Sequence, residues 1–206
     1  MNLLLMRHGQ TEWNHTMRTQ GRTDIPLDET GRMQAAFAAE RLRNAHLDAV
    51  YTSPLLRARQ TAEAVASLHG LPVIPNPLLV ERDFGIWEGE EFSALVNRYP
   101  DAVRLWREDP VAYTPENAES LTDVLARCTA FLKELCARHA DEETVLVVGH
   151  SIPLRLIVAH LIGLAPRYIH SLRMDNAAYT ELALREKYNT LMVLNDTGHL
   201  EQLVKR

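Results

Sequence analysis

Leu3-Leu4-Leu5-Met6-Arg7-His8-Gly9-Gln10-Thr11-Glu12-Trp13-Asn14 passes in one step from an apolar run into cationic and hydrogen-bonding residues. Four large apolar residues in succession suit a strand covered on both faces, as in a parallel sheet with helices above and below. Open α/β sheets bind their ligands beyond the carboxyl ends of such strands, so Arg7 and His8 stand where chemistry is expected. Thr144-Val145-Leu146-Val147-Val148 repeats the pattern and ends in Gly149-His150. Ser151 then suits the N-cap of an almost wholly apolar helix through Ile162, stopped at Gly163. Residues 48–52 read as another strand, and Ser53-Pro54 as the start of the next helix, with serine as cap and proline in the first helical position. Arg57 then falls within about the first turn, where backbone N–H groups and the helix dipole favour an anion.

The remaining chain fills in the same architecture. Asp28 is a plausible N-cap for a helix with a small-residue face of Ala35, Ala38, Ala39 and Leu42. Residues 72–75 and 78–80 suggest a third strand, interrupted by prolines, that delivers Glu81. Between 84 and 116 aromatic residues stand among many acids, broken by Pro100, Pro110 and Pro115. This stretch reads either as short helices and loops that cover the pocket and shape the leaving-group side, or as an irregular insertion whose aromatics simply anchor it to the core. Ser120 and Asp123 open a long helix whose stripe of Leu121, Val124, Leu125, Cys128, Phe131, Leu132 and Leu135 is packing. Residues 179–184 and 190–194 read as two more strands.

Composition bounds the function. With 206 residues the chain suits one α/β domain over 1–206, with 84–116 as a covering segment. A formal net charge of −5 with both signs mixed argues against a nucleic-acid or anionic-membrane surface, so any anion must be met locally. The start lacks a signal-peptide pattern and no transmembrane run occurs, which predicts a soluble cytoplasmic protein, monomer or homodimer. Cys128 and Cys136 are the only cysteines. On one helix they would stand roughly 12 Å apart, too far to bridge, and their spacing is not that of a metal site.

Four elements thus end in polar residues at one sheet edge: Arg7 with His8, Arg57, Glu81, and His150. Two arginines, two histidines and one carboxylate make a poor metal site, since arginine cannot ligate and hard cations want several oxygens. They make a good phosphoryl site, because planar guanidinium forks meet phosphoryl oxygens in bidentate fashion and no metal is needed for neutralisation.

A wider pattern carries a resemblance. Arg7-His8-Gly9-x-Thr11-x-x-Asn14 is followed in order by Gln20-Gly21-x-x-Asp24-x-Pro26-Leu27, by Ser53-Pro54-Leu55-Leu56-Arg57-Ala58-x-Gln60-Thr61-Ala62, and by Glu81-Arg82-x-Phe84-Gly85-x-Trp87-Glu88-Gly89. Val148-Gly149-His150-Ser151 and Asn195-Asp196-Thr197-Gly198-His199-Leu200 complete the series. Together these blocks resemble the signature of the histidine phosphatase superfamily, the phosphoglycerate-mutase-like enzymes. The resemblance implies a three-layer α/β sandwich with a mostly parallel central sheet flanked by helices, and a histidine acid-type phosphatase without cofactor or metal. It carries the nucleophile onto His8, the phosphoryl-binding roles onto Arg7, Arg57, His150 and the neutral donor Asn14, and the proton donor onto Glu81. Thr11, Gln20, Gly21, Arg82 and Ser151 fall among its substrate-binding positions.

Three functions remain open at this level. They are hydrolysis of a small phosphorylated metabolite through a phosphohistidine, cofactor-dependent phosphoglycerate mutase action, and non-catalytic phosphate binding by a regulatory module. Mutases resembling this chain are longer and carry paired arginines in the covering insertion. Here that region is short and mostly acidic, with Arg104 and Arg107 the nearest imitation, and Ala118-Glu119-Ser120 replaces the usual Gly-Glu-Ser. Arg82 is a feature shared with mutases. Ser151 lacks the Gly-x-Ser-x-Gly elbow of a nucleophile. Asp196 and His199 suit structural hydrogen bonds that pin the tail.

Overall fold

A computed structural model describes residues 1–201; residues 202–206, into which the single-domain reading extends, lie outside the described residues. Six strands form one sheet: β1 (Asn2–Arg7), β2 (Ala49–Thr52), β3 (Val73–Pro75), β4 (Thr144–Gly149), β5 (Tyr179–Ala183) and β6 (Thr190–Asp196). Their order is β3-β2-β4-β1-β5-β6. β1, β2, β3 and β4 pair in parallel, whereas β5 runs antiparallel between β1 and β6.

Alternate residues of each strand enter opposite layers. Leu3, Leu5, Val145 and Val147 pack against α6 (Leu121–Arg138) and α7 (Ser151–Ile162), while Leu4, Met6, Val50, Leu146 and Val148 pack against α2 (Glu29–Leu42) and α3 (Leu56–His69). The continuous apolar runs of β1 and β4 are therefore needed, since a strand with two covered faces has no solvent side. The short α1 (Glu12–His15) follows β1. In the stretch 84–116, α4 (Phe92–Arg98) and α5 (Pro100–Glu108) enclose a separate small core of Trp87, Leu95 and Val103, walled by Phe84, Phe92, Tyr99, Trp106 and Tyr113. Among the described residues no helix is long and apolar enough to cross a membrane.

Most boundaries follow the local signals. Asp28 and Ser120 cap α2 and α6 by accepting the N–H of Gly31 and Asp123, and Gly163 ends α7 at φ 73°. Three expectations are corrected. Ser53 does not cap α3, which begins at Leu56: the Leu56 N–H donates to Asp24 Oδ1 at 2.7 Å, so the cap comes from a loop 32 residues away and the Ser53 hydroxyl is left for another partner. Residues 78–80 are not strand, because Asn76 Oδ1 accepts the Leu78 N–H and Pro77 opens a 3-10 turn, Pro77–Leu79. Glu81 therefore follows a turn and not a strand end. Ser151 is the first residue of α7, not its cap; His150 holds that place with extended backbone and no side-chain cap.

Candidate active site

The parallel register of β1 on β4 sets Arg7 opposite Gly149, so the next residues, His8 and His150, emerge side by side. Their ring centroids are 5.1 Å apart, and both side chains are buried. His8 Nδ1 lies 2.7 Å from the Gly9 carbonyl oxygen. A carbonyl can only accept, so Nδ1 carries the proton and Nε2 keeps its lone pair. The main chain of this turn is held by His8 N–H to Gly149 O (3.0 Å) and Gly9 N–H to Thr61 Oγ1 (3.0 Å).

β2 brings Ser53 to the same place. Its Oγ accepts the Leu55 N–H at 3.3 Å and stands 2.8 Å from His150 Nε2. When the Ser53 hydroxyl donates to Nε2, the His150 proton sits on Nδ1, a buried atom with no partner. Burial, followed by the charge of Arg57, pushes both imidazoles well below the ordinary histidine range. Both are therefore neutral near pH 7.

Two guanidinium groups flank the pair. Arg57, fully buried, is aimed by the Gly21 carbonyl (Nη2, 2.8 Å) and the Thr23 carbonyl (Nη1, 2.8 Å), and its Nε has no partner. That loop is itself docked by Glu88, which accepts the N–H groups of Arg22 (2.8 Å) and Thr23 (3.2 Å) and the Thr23 hydroxyl (2.9 Å). Arg7 donates from Nη1 to Met174 O at 2.7 Å, leaving Nε buried without a partner. Burial lowers its pKa to about 10, so it stays charged at neutral pH.

Glu81 is buried beside these cations. Its Oε1 accepts the backbone N–H of Arg82 at 2.8 Å, not the Arg82 guanidinium, whose Nε goes instead to Glu119 O at 2.8 Å. Burial raises the Glu81 pKa against the opposing pull of that N–H, Arg57 and Arg7. The carboxyl is thus poised to hold a proton, with charges near enough to stabilise its loss.

Asn14 closes the first loop: its Oδ1 accepts from Thr11 N (3.2 Å), Thr11 Oγ1 (3.2 Å) and Asn176 Nδ2 (3.1 Å), which turns its own amide N–H pair outward. Thr11 is fully buried and spends its hydroxyl on Asn14, so it positions that residue. Gln20 is buried with Oε1 unpartnered, and Gly21 sits at φ 53°. Ser151 opens α7 directly after His150. Asp196 and His199 stay outside it: Asp196 Oδ1 accepts Gly198 N–H at 2.7 Å and His199 Nε2 lies 3.1 Å from Ala177 O.

Two supports escaped the sequence reading. Asn176 donates to His8 O (3.0 Å), Gly9 O (3.3 Å) and Asn14 Oδ1 (3.1 Å), bracing the whole first turn from the loop before β5. Ser53 orients His150, although its position before proline looked like a helix cap. The Asp175-Asn176 pair preceding a strand was the available signal for the first; for the second there was none without the sheet order. Cys128 is buried in the core and Cys136 exposed, both on α6.

The family described as the histidine phosphatase superfamily (branch 1) matches residues 3–197. Phosphoserine phosphatase 1 of Hydrogenobacter thermophilus is 37% identical over 200 residues, covering 97% of this chain and 94% of its own. A probable phosphoglycerate mutase of Photorhabdus laumondii is 32% identical over 186 residues, covering 88% and 84%. Among solved structures, a mycobacterial glucosyl-3-phosphoglycerate phosphatase in complex with VO3 superposes with TM-score 0.89 at 33% identity, over 95% of this chain and 99% of that one. With its sheet, strand-end histidines and paired arginines arranged as above, the chain belongs to branch 1 of the histidine phosphatase superfamily.

Proposed function

We propose that this chain hydrolyses phosphomonoesters of small metabolites, without a metal, by way of a phosphohistidine on His8. The observation that carries the reading is the His8 Nδ1 contact with Gly9 O, because it leaves a neutral Nε2 lone pair between Arg7 and Arg57. That lone pair attacks phosphorus as the ester P–O bond breaks. Arg7, Arg57, His150 Nδ1–H and Asn14 hold the phosphoryl oxygens, and the Glu81 carboxyl gives its proton to the leaving oxygen. In the second half Glu81, now ionised, takes a proton from water. The resulting oxygen attacks phosphorus and the P–N pair returns to Nε2. Gln20, Gly21, Arg82 and Ser151 line the substrate side. Two guanidiniums offset the phosphoryl charge that a metal would otherwise meet.

The relatives' names support a small substrate: phosphoserine for one, glucosyl-3-phosphoglycerate for another. Likeness to a probable mutase, with Arg82 beside Glu81, favours mutase action as the second reading. The covering segment weighs against it, since Arg104 is spent on Asp101 and Glu108 at the surface. Incubation with 3-phosphoglycerate separates the two: release of phosphate supports hydrolysis, and accumulation of 2-phosphoglycerate supports the mutase. We read 1–206 as one domain with 84–116 covering the site, working in the cytoplasm.

The test is turnover of p-nitrophenyl phosphate after exhaustive EDTA treatment, with His8→Ala alongside. Activity should survive chelation. The variant should lose it, together with an acid-labile, alkali-stable phosphoenzyme trapped from the parent. Activity lost to EDTA and restored only by a divalent ion, or a label stable to acid and lost in alkali, would overturn the reading.

A further inference from the structure

Glu81 follows a turn and not a strand end, yet a proton donor has to be aimed as closely as the groups that grip the phosphoryl oxygens. Its carboxyl is tied to the neighbouring Arg82 N–H, so the aim must come from the backbone on either side. Arg127 of α6 holds one side. Its Nη1 donates to Leu78 O and Val80 O, both at 2.7 Å, and Val80 is the residue before Glu81. The other edge of the same guanidinium meets Glu119 as a fork, Nε to Oε1 at 2.8 Å and Nη2 to Oε2 at 3.0 Å.

Glu119 holds the other side. Its carbonyl accepts Arg82 Nε at 2.8 Å, and its N–H donates to Asp83 O at 3.0 Å. The clamp continues beyond it: Ile86 N–H donates to Glu116 O at 3.1 Å, and a Cβ on Gly85 would stand 2.1 Å from that same oxygen. The chain before and after Glu81 is thus fixed by one helix and the loop that enters it. Glu119 Oε2 also pairs with Arg22 Nη2 at 3.2 Å, in the loop whose Gly21 and Thr23 carbonyls aim Arg57. Proton donor and phosphoryl-binding arginine therefore share one carboxylate as a common anchor.

We propose that Glu119 and Arg127 are a positioning pair that sets the Glu81 carboxyl at the leaving oxygen, acting through the turn 78–83. The inference rests on the phosphatase reading above and adds to it the residues that align its acid. A planar guanidinium suits the task, because it faces a carboxylate along one edge and two carbonyls from the other; the compact ammonium of lysine cannot do both.

The test is single-turnover phosphoenzyme formation from p-nitrophenyl phosphate and from the better alkyl substrate of glycerol 3-phosphate and O-phosphoserine. It compares Arg127→Lys with the double variant Glu119→Gln/Arg127→Met, which leaves neither partner of the pair as a stranded charge. Misplacing the acid should slow the alkyl ester by about 10–10² and the aryl ester by less than about threefold, since only the alkoxide needs a proton to leave. Adding Arg127→Lys to Glu81→Gln should cost nothing further, because residues that act as a unit are not additive. Equal losses for the two esters, an unchanged alkyl rate, or a full further loss on the Glu81→Gln background would overturn the pair and leave the phosphatase reading standing. Loss of the folded state in both variants, read by urea melt, would do the same by making the pair a stability element. A parent that leaves both alkyl esters intact overturns the pair and the phosphatase reading together.

Discussion

In the proposed mechanism Glu81 is protonated when the ester bond breaks and ionised when water attacks, and its surroundings suit both states. Burial raises its pKa, so the acid form persists to higher pH than for an ordinary carboxyl; His8 is pushed the other way, so its neutral form persists to lower pH. The sign follows directly: phosphoenzyme formation should persist to higher pH than an ordinary carboxyl would allow, and fall as the pH rises further and Glu81 ionises. That fall should be steep for an alkyl phosphate and shallow for p-nitrophenyl phosphate, whose leaving anion needs no proton. Glu81→Gln should slow single-turnover phosphoenzyme formation from the alkyl ester by about 10²–10⁴, and from the aryl ester far less. Equal losses for the two esters would mean that Glu81 only holds the site together. At the same scale, Ser53→Ala should weaken turnover by freeing the His150 ring to take the other tautomer, with KM rising as the phosphoryl group loses a donor; unchanged kinetics would remove Ser53 from the account.

Among elements, the loop 20–24 has the widest reach. It aims Arg57 with two carbonyls, caps α3 through Asp24, and is docked by Glu88. Gly21 makes this possible: its φ is +53°, and a Cβ there would come within 1.7 Å of Glu88 Oε1. Gly21→Ala should therefore push Glu88 aside and misplace Arg57, lowering kcat/KM by roughly 10–10² and stability by about 1–3 kcal/mol. Gly70, the left-handed end of α3 at φ +64° with nothing within 4 Å of a Cβ, is the control. Gly70→Ala should cost about 1 kcal/mol in a urea melt and spare kcat/KM. Equal catalytic losses in both variants would show that backbone strain alone, and not the Glu88 contact, explains the effect.

For the molecule as a whole, two apolar layers clamp one sheet whose parallel strands stop together at the site. Leu5 is fully buried in the α6–α7 layer opposite Val147. Leu5→Ala should lower unfolding free energy by about 2–5 kcal/mol at constant m, while the folded fraction keeps its turnover, because the Arg7 to Gly149 register that aligns the histidines lies beyond the cavity. A change in specific activity larger than the loss of folded protein would contradict that separation. Periodicity and short-range chemistry were enough to read β1, β4, the helices α2, α6 and α7, the strand-end residues Arg7, His8 and His150, and the ordered blocks that name the family. Each is a local property, written in consecutive residues or in a hydrophobic repeat. Tertiary structure alone decided the strand order that sets β4 against β1, the antiparallel β5, the cap on α3 from Asp24, the diversion of Ser53 to His150, the turn that carries Glu81, and the brace from Asn176. These depend on which of several possible partners a hydrogen-bonding group meets once distant segments are packed together, and that competition leaves no periodic trace in the chain.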